Sequence, residues 1–186
     1  ATDTISLTSL PLPPVIFHPI ITPEFPSSLL QVVYCTEEAP HVAPQFYAVV
    51  QPVQALRNDS EGEGHFGASR GRRTHNGIDL LVTPGGAVYC PIEGYMERVA
   101  YPYGTTRRNK KWLGCAIQGT GLYRGYEVKI FYMEPFLLGE YVYPNDIIGK
   151  AQAISDRYSS QMKNHLHVEV RYQGELIDPD VLFQVI

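Results

Sequence analysis

Asn164-His165-Leu166-His167-Val168-Glu169-Val170-Arg171 sets two imidazoles two residues apart. Side chains on an extended strand alternate between faces, so His165 and His167 share one face while Leu166, Val168 and Val170 point into a core behind them. Adjacent imidazoles on a strand backed by core suggest a metal, or a reacting group beside one. A pair of surface histidines is the plainer alternative. Upstream, Arg73-Thr74-His75-Asn76-Gly77-Ile78-Asp79 places a histidine and a carboxylate four apart, again an even spacing, and Gly77 between them disfavours helix. Two histidines and a carboxylate form a standard three-ligand set for a catalytic-type zinc, with a fourth position left open to water. On its own the upstream pair would equally serve as a structural His–Asp hydrogen bond.

These residues need strands to hold them, and the chain from Gly64 onward supplies the pattern. Short apolar, β-prone runs cover Ile78 to Val82, Ala87 to Cys90, Tyr95 to Ala100, Gly114 to Gln118, Tyr126 to Tyr132 and Leu166 to Tyr172. Turn residues separate them, including Pro84-Gly85-Gly86, Gly125, Gly139 and Pro144-Asn145-Asp146. No segment holds a period of 3.6 through three turns, so an all-β, antiparallel domain is expected over residues 61–186. Residues 1–60 differ in character. Prolines from Pro11 to Pro52 remove backbone donors and exclude regular helix. They leave an irregular extended arm with β-prone runs only at Leu29 to Cys35 and Phe46 to Val50, and the polar stretch Arg57 to Gly64 reads as its boundary.

The whole chain has 186 residues, a formal charge of −4 and 44% hydrophobic residues. That describes a folded protein with one well-cored domain, and it argues against nucleic acid as a partner. No apolar run is long enough for a membrane span. The chain opens at Ala1, which reads as a mature chain after signal-peptide removal, or as a trimmed one. With the sequon Asn58-Asp59-Ser60 this leans towards secretion and glycosylation. Three cysteines leave one over after any single bridge. In a secreted chain the expected bridge is Cys90 to Cys115, and an unpaired Cys35 or the arm could join copies into an oligomer; three buried thiols are the plainer alternative. Basic groups at Arg70, Arg72 and Arg73 and at Arg107 to Lys111 could meet acidic glycans, although a solvated hairpin loop explains the second group better.

From about Gly64 to Pro179 the chain resembles the lysostaphin-type (LytM-like) zinc endopeptidases. The matching pieces are Phe66-Gly67, Arg73-x-His75-Asn76-Gly77-Ile78-Asp79, Gly86-x-Val88-Tyr89-x-Pro91-x-x-Gly94, Asp146-x-x-Gly149, His165-Leu166-His167-x-Glu169-Val170-Arg171 and Gly174-x-x-x-Asp178-Pro179. The resemblance implies the duplicated antiparallel fold of that family. It implies one zinc ion on His75, Asp79 and His167, with His165 as the candidate general base that orients or deprotonates a metal-bound water. The family also carries a catalytic histidine in a Leu-Tyr-x-His-Leu segment. Here that segment reads Phe131-Tyr132-Met133-Glu134-Pro135, with Glu134 in the histidine's place. A carboxylate repels an oxyanion where a histidine would donate to it, and losing such a donor costs on the order of 10²- to 10³-fold in rate. Tyr132, next door, could reach a metal-bound water.

Within that family the chain is similar to the secreted chemotaxin 2-like homologues, which keep the zinc ligands and lack the same histidine. Ala68-Ser69-Arg70, Arg73-x-His75 and Val128-Lys129-Ile130-Phe131-Tyr132-x-x-Pro135 carry that similarity. The arm and the cysteine placement do not. The leading expectation is therefore a secreted, zinc-binding, peptidase-like protein whose hydrolysis is lost or weak and which acts on a protein or glycan partner by binding or assembly. An active zinc endopeptidase and a matrix component polymerising through the arm are the alternatives.

Overall fold

The computed structural model of the protein describes residues 44–183, all within one compact unit, His41–Ile186. Cys35, the run Leu29 to Cys35 and the arm up to residue 43 lie outside the described residues. Two small hairpins come first, β1 (Asn58–Asp59) with β2 (Gly62–Glu63) and β3 (Ser69–Arg70) with β4 (Arg73–Thr74). There follow β5 (Ile78–Leu81), β6 (Ala87–Tyr89), β7 (Gly94–Ala100), β8 (Gly114–Gly119) and β9 (Tyr126–Phe131). The last five are β10 (Met133–Pro135), β11 (Tyr141–Val142), β12 (Ile147–Ala151), β13 (His165–Tyr172) and β14 (Glu175–Ile177). The described residues contain no α-helix, only three single 3₁₀ turns, as the missing 3.6 period led one to expect.

A seven-stranded antiparallel sheet runs β11-β7-β8-β9-β13-β14, with β5 also paired to β13. His167 and Val168 pair with β9 and with β5, whereas Val170 to Tyr172 pair with β9 and with β14. One edge of β13 is therefore covered by β9, and the other is shared end to end by β5 and β14. A second sheet, β10-β12-β6, packs beside it. Alternation explains the layering. On β9, Tyr126, Val128 and Ile130 are buried while Glu127 and Lys129 are half-buried, and on β13 Leu166, Val168 and Val170 have no exposed surface. Each such aliphatic side chain contributes about 1.5–3 kcal/mol by leaving water. Residues 44–56 add to the same core. Phe46 and Val49 are buried in it, and the Phe46 ring meets Tyr123, Tyr126 and Phe183 edge-on at 5.3–5.6 Å.

Cys90 and Cys115 are free thiols in the structure rather than the expected bridge. The Cys90 thiol donates to the Ile92 carbonyl at 3.0 Å, and both sulfurs lie in the main core. Burial pushes both thiols up to about 12, so neither forms thiolate at neutral pH. Iodoacetamide should leave both unmodified in the native protein and label both in denaturant, read by peptide mass spectrometry. Native labelling of either would contradict this packing.

Candidate metal centre

The centre is built on the pairing of β13 with β5, where His167 stands directly opposite Asp79 and His165 opposite Leu81. His75 precedes β5 and is fixed by two backbone hydrogen bonds, from its own N–H to the Ala68 carbonyl and from Gly67 to its carbonyl, both 2.9 Å. Gly77, between His75 and Asp79, lets the chain pass close to β13. A Cβ there would sit 2.1 Å from the Val168 carbonyl oxygen. Its role is space, beyond the discouragement of helix read from the sequence.

His75, Asp79 and His167 converge. His75 Nε2 lies 3.0 Å from Asp79 Oδ1 and 3.0 Å from His167 Nδ1, which is itself 2.9 Å from Asp79 Oδ1. Each imidazole has its other nitrogen beside an acceptor: His75 Nδ1 is 2.8 Å from the His65 carbonyl, and His167 Nε2 is 3.4 Å from Glu169 Oε1. That arrangement favours N–H on the outer nitrogens and turns two lone pairs and a carboxylate oxygen towards one point. Such a meeting is repulsive unless a proton or a cation sits among them, and the donor set suits a divalent ion of the zinc class. It is the one such group among the described residues.

Two arginines hold the far oxygen of Asp79. Arg57, almost fully buried, donates to Oδ2 from Nε at 3.2 Å, its Nη2 is ion-paired with the same oxygen at 3.1 Å, and its Nη1 donates to Asp59 at 2.8 Å. Arg70 adds a contact to Oδ2 at 3.2 Å. Burial alone would raise the Asp79 carboxyl, but its close contacts with His167 and His75 hold it well below the usual carboxylate range. For His167, burial disfavours the imidazolium, yet Asp79 and Glu169 outweigh it and raise the group to about 9. His165 behaves oppositely. Burial lowers it, with Asp79 opposing at 3.8 Å, and its Nδ1 lies 2.8 Å from the Lys163 carbonyl.

His165 and Tyr132 therefore flank the three converging residues, the two rings meeting edge-on at 5.4 Å between centroids. Tyr132 has a φ of 67°, left-handed backbone that costs a non-glycine residue roughly 1–2 kcal/mol. Its amide donates to Leu113 and its carbonyl accepts from Gln152, both at 2.7 Å, which fixes that conformation at the cleft. Glu134 does not join them. It lies on β10, half exposed, 2.9 Å from Lys150 Nζ on β12, and does not line the cleft. Sequence reasoning named Tyr132 but missed Arg57, Glu169 and the two tyrosines hydrogen-bonded with it in a chain, Tyr103 and Tyr158, as parts of the site. Arg57 sits in a polar, turn-rich stretch whose composition says loop, and only Glu169, facing the same way as His167 by parity, carried a readable signal.

No protein-family model matches the chain. Mouse leukocyte cell-derived chemotaxin-2 is 33% identical over 111 residues, which is 60% of this chain and 69% of the mouse protein. The chain belongs to the leukocyte cell-derived chemotaxin-2 family. Solved structures add the fold of this chemotaxin-2 family member. Csd3 of Helicobacter pylori superposes with a TM-score of 0.53 at 17% identity, over 77% of this chain and 36% of Csd3. A zinc-containing peptidase of Vibrio cholerae gives 0.50 at 20% identity, over 74% of this chain and 39% of the peptidase. The chemotaxin-2 relative described here thus has the lysostaphin-type, LytM-like peptidase fold expected from its motifs.

Proposed function

We propose that this chain is a secreted member of the chemotaxin-2 family that binds one zinc ion through His75, Asp79 and His167, has lost efficient hydrolysis, and acts by binding a partner. The observation that carries the reading is a contrast: three donors meet within 3.0 Å, while Glu134, in the place of the family's catalytic histidine, is paired with Lys150 away from the cleft. Bound there, zinc would supply a Lewis acid to a fourth ligand. The residues around it include no second histidine to complement an oxyanion. Secretion is supported by Asn58, the sequon residue, which is exposed on β1.

Elemental analysis of the purified protein should find one zinc per chain, and none in His167→Ala. Cross-linked glycyl peptides should remain uncut by either. Because His167 holds a proton at neutral pH, zinc affinity measured by calorimetry should rise as pH is taken from neutral towards 9, the ion no longer having to displace that proton. Robust cleavage that His165→Ala abolishes would overturn the loss of activity. Absence of zinc would overturn the metal reading. A second reading, an active endopeptidase using Tyr132, is favoured by the hydroxyl's place in the cleft. It requires turnover that Tyr132→Phe removes.

A further inference from the structure

The cleft over the three converging residues has a volume of about 1160 Å³. One wall is the β3–β4 hairpin, and the other carries Tyr103, Tyr132 and Tyr158. The acidic groups that line it are already engaged. Asp79 is held by Arg57 and Arg70, Glu169 faces His167, and Glu61 accepts from Ser159 at 2.9 Å. The hairpin's other two arginines are different. Arg72 and Arg73 line the cleft and are exposed, and their side chains make no ion pair or hydrogen bond among the described residues. A guanidinium presents a planar fork of donors and no acceptor, and it matches a carboxylate in two-point contact.

The tyrosine wall adds a donor of its own. Tyr103 donates its only proton to the Tyr132 hydroxyl at 2.8 Å, so at the 2.6 Å contact between Tyr103 and Tyr158 the donor is Tyr158. The chain of hydroxyls therefore runs Tyr158 to Tyr103 to Tyr132, and the Tyr132 proton is left to donate further. The Tyr132 ring stands 5.4 Å from that of His165. Two free guanidiniums, a hydroxyl donor and the three-residue metal centre are complementary to an anion with more than one acceptor oxygen.

Building on the reading that an ion binds at His75, Asp79 and His167, we infer that the cleft takes the free carboxylate at the C-terminus of a peptide. Arg72 and Arg73 receive its charge, and Tyr132 donates to one of its oxygens beside the ion. A peptide end fits where an intact peptide bond would not be turned over, because it already carries the negative charge that the cleft complements. This makes the site a reader of chain ends.

The test uses the full chain loaded with cobalt(II), whose visible absorption reports the metal centre without any hydrolysis assay. Acetyl-triglycine should shift those bands saturably and its C-terminal amide should not. Arg72→Ser/Arg73→Ser, both exposed positions, should keep the cobalt spectrum and weaken the acetyl-triglycine response about tenfold or more, the worth of a lost charge-assisted contact. Tyr132→Phe should weaken it as well. Failure of cobalt to bind would remove the underlying metal reading. Normal cobalt binding with no response to the acid, an equal response to the amide, or an equal response to sulfate would overturn the carboxylate inference while leaving the metal centre intact.

Discussion

Arg57→Met should lower folding stability by about 3–5 kcal/mol, the cost typical of removing one partner from a buried ionic group. The side chain is 2% exposed and serves two carboxylates at once, Asp59 at 2.8 Å and Asp79 at 3.1 Å, each 4% exposed. Its backbone joins the same structure, donating to the Asp79 carbonyl at 2.8 Å and accepting from Gly64 at 2.7 Å. Methionine fills much of the volume but leaves Asp59 without its arginine and Asp79 with only Arg70. A cation among His75, Asp79 and His167 would offset part of the charge on Asp79. Urea unfolding should therefore show a larger loss in chelator than in zinc. Arg57→Met combined with Asp59→Asn should recover part of it, because one uncompensated buried charge is then gone. A loss below about 1 kcal/mol in chelator would mean that water reaches these carboxylates and that the arginine is a surface partner only.

Gly77→Ala should displace the metal centre itself. The new methyl would lie 2.1 Å from the Val168 oxygen, 2.8 Å from the Val168 carbon and 3.1 Å from His167 Cε1. Two of these three are backbone atoms of β13, a strand paired along both edges, so no side-chain rotation relieves the clash. Overpacking of this kind costs about 1–3 kcal/mol and sometimes more. The larger consequence is geometric. Moving His167 away from His75 and Asp79 should weaken zinc binding well over tenfold, since a misplaced ligand loses both its bond and its orientation by Glu169. Thermal unfolding and zinc titration measure the two effects separately. Gly85→Ala is the control: nothing lies within 4 Å of a Cβ there, and its φ of 79° makes the strain purely local. Unchanged zinc affinity in Gly77→Ala would show that β13 can yield without moving His167.

The strands that frame the centre were readable because their cause is local. Ile78 to Leu81, Tyr126 to Phe131 and His165 to Tyr172 alternate or run apolar between turn residues, and parity alone put His75 with Asp79 and His165 with His167. Joining the two pairs took the resemblance, since nothing in the spacing of residues 75–79 and 165–167 says that β5 and β13 are neighbours. Short edge elements such as Tyr141–Val142 and Met133–Pro135 carry too few residues for a period to register, and they form because the sheets beside them offer pairing partners. Arg57 was illegible for a related reason. Composition treats an arginine among Asn, Asp, Ser and Gly as solvent-facing, and only the fold reveals that two buried carboxylates surround it. The cysteines misled in the other direction, as residues of a strand-rich domain that pack as small apolar groups rather than pairing.

The placement of β13 has a kinetic consequence. A strand hydrogen-bonded along both edges, with Leu166, Val168 and Val170 wholly enclosed, belongs to the part of a protein that opens last. The hairpin bearing Arg72 and Arg73 is a short, exposed pairing of two-residue strands, of the kind that opens first. Traffic of ions and ligands through the cleft can then be governed by the hairpin alone, while the strand that carries two of the histidines stays in place as a fixed anvil. Exchange of what is bound and loss of the fold would thus be separate events, running on different clocks.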